Sequence, residues 1–155
     1  MSSITLRFLA APSTVNFGGK VHGGTVMRWI DEAAYACAAS WGAADAVAVY
    51  AGGIQFAAPL LVGSVVEVEA RLIHTSERSM HIAVEARSAP LEDPTALTRN
   101  ARCMGIYVVP EDGSAKGVPA FIPVNDEDRA LDEHARELIG LRTLIPPLPD
   151  ALIEP

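Results

Sequence analysis

Two segments near the middle of the chain alternate between apolar and polar residues. In residues 64–74 the apolar positions are Val66, Val68, Ala70 and Leu72. In residues 79–88 they are Met80, Ile82, Val84 and Ala86. A period of two with one polar face is typical of antiparallel strands that expose one face to solvent. The pattern therefore predicts two strands, with residues 75–78 as the hairpin turn between them.

Three further segments have the composition of strands. Residues 4–11 alternate in part, and residues 46–58 are rich in valine, alanine and aromatic residues. A proline follows each of these segments, and the pair Gly52-Gly53 inside the second indicates a bulge or a close approach of another group. Residues 97–109 predict another strand. After turn-forming residues at 110–114, the segment 116–124 predicts a short edge strand.

The chain also contains two helical patterns. Residues 24–41 are apolar on nearly every side and are followed by Gly42, which predicts a long, buried helix with a glycine stop. Asn125 and the three acidic residues after it supply a cap and the negative first turn that a helix prefers. This second helix is expected to lie on the surface and to end at Gly140, ahead of a proline-rich tail at 146–155.

One apolar helix followed by about four consecutive strands predicts an α+β fold, in which an antiparallel sheet wraps around the central helix. A chain of 155 residues suits one domain. We expect residues 1–125 to form this unit, and residues 126–155 to add the C-terminal surface helix and the tail to the same domain. Because one helix covers only part of such a sheet, another copy of the chain is expected to complete it. A homodimer is the minimal assembly, and a tetramer or a hexamer is the larger alternative.

Composition and charge narrow the range of partners. Half of the residues are hydrophobic, yet no apolar run approaches the ~20 residues of a membrane-spanning helix. The first residues also lack the pattern of a secretory signal. We therefore expect a cytoplasmic protein without a membrane partner. The net charge of −7 argues against nucleic acid, which requires a basic surface.

Cysteine and histidine are spaced like neither a disulfide framework nor a metal site. Cys37 and Cys103 are far apart in the sequence, and both are interpreted as buried thiols. Cys37 has only alanines as immediate neighbours, so no basic group activates it. His74, His81 and His134 lack ligand spacing. No metal and no tightly bound cofactor is expected.

The segment 16–24, together with Asp31 in the apolar helix, carries the main candidate chemistry. Gly23 and Gly24 let a substrate oxygen approach the backbone, and the first N–H groups of a helix have no intrahelical partners. Such N–H groups can polarise a carbonyl group. A carboxylate in an apolar helix is either a site residue or half of an ion pair, and Arg28 is close enough in sequence to pair with Asp31.

Several motifs, in their order and spacing, resemble the hotdog-fold acyl-CoA thioesterases over most of the chain. The motifs are NFGGKVHGG at 16–24, MRWID at 27–31, GIQFAAPLLVGSVV at 53–66 and HTSERSM at 74–80. The second motif is similar to the cytosolic long-to-medium-chain acyl-CoA hydrolases. The HGG of the first is similar to the phenylacetate-pathway thioesterases, which favour aromatic acyl groups. We favour the cytosolic branch, although the acyl preference itself is not readable from the sequence.

This resemblance implies the hydrolysis of an acyl-CoA thioester to a carboxylate and free CoA, so that coenzyme A is part of the substrate. Asp31 would act as a general base on water, or as a nucleophile. A backbone N–H of Gly23 or Gly24 would hold the oxyanion, and Asn16 would orient the water or the carbonyl group. In relatives, the asparagine and the acid come from different subunits.

The resemblance also raises two questions about neighbouring groups. Some relatives carry a hydroxyl on the strand after the helix. This chain has Val49 near that position, with Tyr35, Tyr50 and Gln55 as substitutes. The CoA phosphates are expected to meet hairpin residues and nearby arginines, namely Arg78, Ser76 and Ser79, and then Arg99 and Arg102. Solvated charges at strand ends explain these arginines equally well.

Two other functions suit the same architecture. A hotdog dehydratase or hydratase would need a histidine paired with an acid, but His22 and Asp31 lie on opposite sides of the predicted helix. A non-catalytic acyl-CoA-binding module would hold the thioester without cleaving it. The presence of both Asn16 and Asp31 favours the hydrolase over this module.

Overall fold

The computed structural model describes residues 2–111 and 117–149. The chain divides into two units, Met1–Phe121 and Ile122–Pro155. In the first unit, helix α1 spans Gly23–Ser40 and five strands form one sheet. The strands are β1 (Ser3–Leu9), β2 (Val47–Phe56), β3 (Val65–Thr75), β4 (Ser79–Ala89) and β5 (Thr98–Val108).

The sheet is antiparallel throughout, with the strand order β1-β3-β4-β5-β2. Helix α1 packs against β1, β3, β4 and β5 on one face of the sheet. The apolar set predicted from the alternation of β3 is fully buried there: Val66, Val68, Ala70 and Leu72 are each 0% exposed. The predicted α+β hotdog architecture is confirmed.

Helix α1 is buried on one side only. Its buried residues include Ile30, Ala34 and Ala38, whereas Met27 and Tyr35 are each 44% exposed. The prediction that this helix is buried on nearly every side is therefore wrong for the single chain, because the sheet covers only one of its faces. Gly42 follows the helix with φ 111°, as predicted for a glycine stop.

The opposite face of the sheet is less solvated than the alternation predicted. Glu67 on β3 is only 7% exposed. Its carboxylate accepts hydrogen bonds from Arg7 on β1 and from Arg87 on β4, the latter at 2.9 Å. Two arginines on neighbouring strands therefore bury a carboxylate that the sequence pattern alone assigned to solvent.

Other boundaries agree with the predictions to within a few residues, apart from one segment. The ladder between β2 and β5 shifts register between Gly52 and Gln55, as the glycine pair indicated. The predicted edge strand at 116–124 is wrong where the structure describes it, because residues 117–124 form no strand. Residues 112–114 of the predicted turn lie outside the described residues.

In the second unit, helix α2 spans Asp126–Arg142. The Asn125 side chain caps it by accepting a hydrogen bond of 2.8 Å from the Asp128 N–H, as predicted. The helix runs through Gly140 for two more residues, so the predicted end was early. Of the predicted tail, residues 150–155 lie outside the described part of the chain, and the assignment of both units to one domain stays a prediction.

Candidate active site

The loop before α1 is organised by Asn16. Its Oδ1 accepts hydrogen bonds from the backbone N–H groups of Gly18 at 2.8 Å and Lys20 at 3.2 Å. A short amide side chain commonly closes a turn in this way, and Gly19 supplies the positive φ of 74° that the turn requires. Among the described residues, the Asn16 Nδ2 has no acceptor. The loop thus has a fixed shape and retains one amide donor.

The two glycines at the helix start differ in their hydrogen bonding. His22 is the N-cap of α1, and its Nδ1 accepts a bond of 3.3 Å from the Gly24 N–H. The Gly23 N–H, in contrast, has no acceptor among the described residues. Of the two glycines proposed for the oxyanion, only Gly23 therefore retains a free N–H in the single chain.

A pocket of about 290 Å³ lies beside this helix start. Most of its lining is apolar, and Gly23 forms part of the wall. Its polar side chains are Asn16, Lys20 and Asn100. Asp31 is not among the lining residues, so the described part of one chain does not bring the predicted acid into this pocket.

Asp31 lies on the exposed side of α1, where Tyr107 of β5 holds it. The Tyr107 hydroxyl donates to Asp31 Oδ1 at 2.6 Å. Arg28 pairs instead with Glu32, at 3.8 Å. The Asp31 Oδ2 accepts no hydrogen bond from a described residue. Asp31 is therefore positioned by a buried phenol, and the alternative of an ion pair with Arg28 is wrong.

Tyr107 is a permanent hydrogen-bond donor in this position. It is 3% exposed, and its burial, reinforced by the neighbouring Asp31 charge, raises the pKa of Tyr107 well above its usual value. Gly105 makes room for the ring, since a Cβ at this position would lie 3.1 Å from a ring carbon of Tyr107. One Asp31 oxygen is thus fixed, and the other has no hydrogen-bond donor among the described residues.

The hairpin residues predicted to bind CoA phosphates are used inside the fold. Ser76 Oγ and Ser79 Oγ are 2.6 Å apart, and the Ser79 N–H donates to Ser76 Oγ at 3.1 Å. Arg78 donates to the Val109 carbonyl at 2.7 and 3.2 Å and pairs with Glu111 at 3.2 Å. These contacts close the hairpin and attach it to the end of β5.

The other predicted groups also have internal partners. Arg102 donates to Gln55 at 2.8 Å, and Arg99 donates to Glu85 at 2.6 Å. The Tyr35 hydroxyl donates to the Ala44 carbonyl at 2.7 Å. None of the arginines or serines predicted for CoA binding lines the pocket.

Sequence reasoning missed three residues that the structure singles out. Tyr107 occupies a helix-facing position of β5, two residues after Gly105. The alternation of β5 was the only feature of the sequence that could have indicated this orientation. Lys20 belongs to the glycine loop and has no ion pair among the described residues. Asn100 interrupts the alternation of β5 with a buried polar side chain.

The described residues contain no cluster of three side chains suited to hold a metal ion, and no helix long and apolar enough to cross a membrane. Cys37 and Cys103 are buried free thiols. Burial raises the pKa of both, which keeps them protonated and unreactive at neutral pH.

Comparison with known proteins identifies the family. The Thioesterase superfamily matches residues 18–94. An uncharacterized acyl-CoA thioester hydrolase of Zymomonas mobilis is 30% identical over 84% of this chain and 85% of its own length. Human cytosolic acyl coenzyme A thioester hydrolase is 28% identical over 87% of this chain, which spans 36% of the human protein.

A solved structure agrees with these sequence matches. The crystal structure of an apo-hexameric acyl-CoA thioesterase superimposes on this chain with a TM-score of 0.82. The two sequences are 27% identical, and the match covers 91% of this chain and 90% of the other. Its fold matches the five-stranded sheet and the long helix described above. Its sequence relatives and its fold, together with the pocket at the start of α1, show that this chain belongs to the hotdog-fold acyl-CoA thioesterases.

Proposed function

We propose that this enzyme hydrolyses acyl-CoA thioesters to a free carboxylic acid and CoA. The observation that carries the proposal is the Tyr107–Asp31 contact on α1, combined with an open Gly23 N–H beside an apolar pocket. Thioester hydrolysis requires a base for water and a donor for the oxyanion. Asp31 and Gly23 supply these two groups.

In the proposed mechanism, Asp31 acts as the general base. Tyr107 holds Oδ1, so Oδ2 takes a proton from a water molecule as the water oxygen attacks the thioester carbonyl carbon. The Gly23 N–H donates to the resulting oxyanion. One such donor contributes on the order of 3 kcal/mol. Collapse of the intermediate breaks the C–S bond, and the proton on Asp31 passes to the departing CoA sulfur.

The alternative role of Asp31 as a nucleophile leads through an anhydride between the Asp31 carboxylate and the acyl group. Label that enters the protein during hydrolysis in ¹⁸O-labelled water under single-turnover conditions identifies the nucleophilic role. A general base places the label in the released acid only. A nucleophile whose anhydride is opened at the Asp31 carbonyl places the label in the protein. We favour the base because Tyr107 already occupies one of the two carboxylate oxygens.

We propose that the pocket of one copy receives Asp31 from a second copy. Asp31 does not line the pocket of its own chain, and it lies on the exposed side of α1. Strand β2 is an edge of the sheet and exposes apolar side chains, with Val47 at 50%, Val49 at 54% and Phe56 at 56%. An exposed apolar edge strand favours pairing with another strand.

A homodimer formed through β2 is therefore the proposed minimal unit. The solved relative described above is hexameric, which supports a larger assembly of such dimers. Sedimentation analysis distinguishes a dimer, a tetramer and a hexamer. We also propose a cytoplasmic location, in keeping with the human relative named as cytosolic.

Lys20 is the proposed contact for an anionic part of CoA. It lines the pocket, and its side chain is exposed and has no ion pair among the described residues. Arg78, in contrast, already holds a carbonyl oxygen and a carboxylate. A cation without a partner can bind a phosphate without first breaking an internal contact.

Two observations weigh against the other functions. A dehydratase needs a histidine paired with an acid, but among the described residues His22 bonds to the Gly24 N–H and to no carboxylate. A non-catalytic binding module gives no reason for a buried phenol to hold an exposed carboxylate on one oxygen. The hydrolase uses both features.

The proposal is tested by following thiol release from a panel of acyl-CoA substrates with the wild-type protein and with Asp31→Asn. We expect turnover by the wild type and a loss of about 10³-fold in kcat in the variant, with unchanged secondary structure. Tight acyl-CoA binding without thiol release by the wild type would instead indicate the binding module. Water addition or loss would indicate the dehydratase.

A further inference from the structure

We propose that Asn100 positions the substrate by accepting a hydrogen bond from an amide N–H of the pantetheine arm. This inference rests on the proposed function and deepens it, because it assigns the arm rather than the acyl group to this part of the pocket. Asn100 is 3% exposed and lines the same pocket as Gly23 and Asn16.

Asn100 is the extra residue of a β-bulge. In the ladder between β4 and β5, Ala86 pairs with Ala101, and the next residue, Arg87, pairs with Arg99. Asn100 therefore has no partner on β4. Bulges change the direction of a side chain and are frequent beside active sites. Here the bulge takes Asn100 out of the alternation of β5.

The orientation of the Asn100 amide is fixed by its neighbours. Its Nδ2 donates to the carbonyl oxygen of Pro59 at 3.2 Å and to that of Ala58 at 3.5 Å. Because carbonyl oxygens only accept hydrogen bonds, the nitrogen must be the atom that faces them. The backbone carbonyl of Asn100 also accepts a hydrogen bond of 2.8 Å from the Ala57 N–H. This bond connects the bulge to the pocket wall.

The Oδ1 atom of Asn100 is left buried without a hydrogen-bond donor among the described residues. Native proteins rarely leave a buried acceptor unpaired, since its desolvation is not compensated. Two pocket-lining side chains, Asn16 and Lys20, carry donors, but neither donates to this oxygen, and the apolar residues Val26 and Leu60 have no side-chain donor. We infer that a bound molecule supplies the donor for this oxygen.

The chemistry of an acyl-CoA identifies that donor. A simple acyl chain contains no N–H or O–H group, whereas the arm beyond the sulfur contains amide N–H groups. A neutral amide oxygen in an apolar pocket suits a neutral N–H donor better than a charged phosphate. With the arm held at Asn100, the thioester is directed toward Gly23 on the same pocket wall.

Two small thioesters that differ in one atom test this inference. The first is an acyl thioester of N-acetylcysteamine, and the second is its oxygen analogue, in which an ester oxygen replaces the amide N–H. We expect wild-type kcat/KM to be about tenfold higher for the amide, the size of one buried hydrogen bond. Equal rates in the wild type would overturn the inference without any variant.

Two substitutions test whether Asn100 causes the preference for the amide. Asn100→Leu removes the acceptor and should reduce the amide preference to less than about twofold. Asn100→Asp keeps an acceptor oxygen but loses the donor to the Ala58 and Pro59 carbonyls, so it controls for those contacts: it should be destabilised and still retain part of the preference. Thermal unfolding of both variants reports on the lost contacts to Ala58 and Pro59. A preference that persists in Asn100→Leu would mean that Asn100 only braces the bulge or holds a water molecule, and would overturn the proposal.

The outcomes also separate this inference from the proposed function. If the wild type releases no thiol from acyl-CoA or from either small thioester, the hydrolase assignment fails. If it hydrolyses acyl-CoA and both small thioesters but does not distinguish the amide from the ester, only the role of Asn100 fails.

Discussion

The loop before α1 and the hairpin between β3 and β4 each contain a cation and hydrogen-bonding groups, but they differ in how those groups are used. In the hairpin, Ser76 bonds to Ser79, and Arg78 bonds to the Val109 carbonyl. In the loop, the Gly23 N–H and the Asn16 Nδ2 have no acceptors among the described residues. A group that already has an internal partner must lose it before it can bind substrate. The unused hydrogen-bonding capacity of the loop therefore supports its proposed role as the site.

Replacing Gly23 breaks this contrast most strongly. Gly23→Pro removes the free N–H but suits the first position of a helix, since proline is favoured there and His22 already has the extended backbone that must precede it. We expect kcat to fall by about 10²- to 10³-fold, the usual cost of losing one oxyanion donor. The measurement is steady-state thiol release from acyl-CoA.

Gly23→Ala is the matched control, because it keeps the N–H. Its Cβ would lie 3.9 Å from the Phe56 ring, an ordinary contact distance. This variant should retain kcat within a few fold. Equal losses in the alanine and proline variants would show that glycine is needed for space, and would exclude the N–H as the donor.

Removal of the Tyr107 hydroxyl tests the positioning of Asp31. Tyr107→Phe leaves Asp31 without its fixed hydrogen bond, so we expect about a tenfold decrease in kcat and little change in KM. Tyr35→Phe is the control, since it loses a hydroxyl that bonds only to the Ala44 carbonyl. If both phenylalanine variants behave like the wild type, Asp31 needs no such support.

Lys20 in the loop and Arg78 in the hairpin are the cations to compare by substitution. Lys20→Met should raise KM for acyl-CoA several-fold, while Arg78→Met should leave KM within about twofold. Arg78→Met should instead lower the free energy of unfolding by about 1 kcal/mol, because it loses the Val109 and Glu111 contacts. Kinetics and urea unfolding of both variants provide the measurements. A raised KM in Arg78→Met with an unchanged KM in Lys20→Met would indicate that the hairpin binds CoA.

The buried thiols give the smallest effect, and it depends on pH. Burial raises the pKa of Cys37 and Cys103, so the folded protein keeps protons that the unfolded chain loses. The free energy of unfolding should therefore be insensitive to these groups at pH 7 and decrease as pH rises above about 8.5. Urea unfolding across pH 7 to about 10 should show a shallower decrease in Cys37→Ala. Rapid labelling of either folded thiol at pH 7 would contradict this account.

The strands and α1 were predictable because alternation and helical periodicity record which residues face the core. Asn16, Gly23 and Asp31 were selected by a local motif. Tyr107 was missed because it reaches Asp31 across a sequence separation of 76 residues. Such a contact depends on which strand lies under the helix.

Asn100 and Arg78 show two further limits of sequence reasoning. The bulge that redirects Asn100 leaves no glycine or proline signal at that position. Arg78 was assigned to phosphate by its residue type, and its partner Val109 is 31 residues away. Residue type indicates what a side chain can bind, and only the fold decides whether that capacity is already used.

We propose above that Asp31 of one copy serves the Asn16 and Gly23 pocket of another copy. To test this arrangement, Asp31→Asn and Asn16→Ala are unfolded together in equal amounts and refolded, and thiol release is measured, with each variant refolded alone as the control. Random dimers with sites shared between copies should recover about a quarter of wild-type activity, since half of the dimers are mixed and each has one intact site. If the mixture is as inactive as the separate variants, while the wild type treated in the same way recovers its activity, the shared site is contradicted.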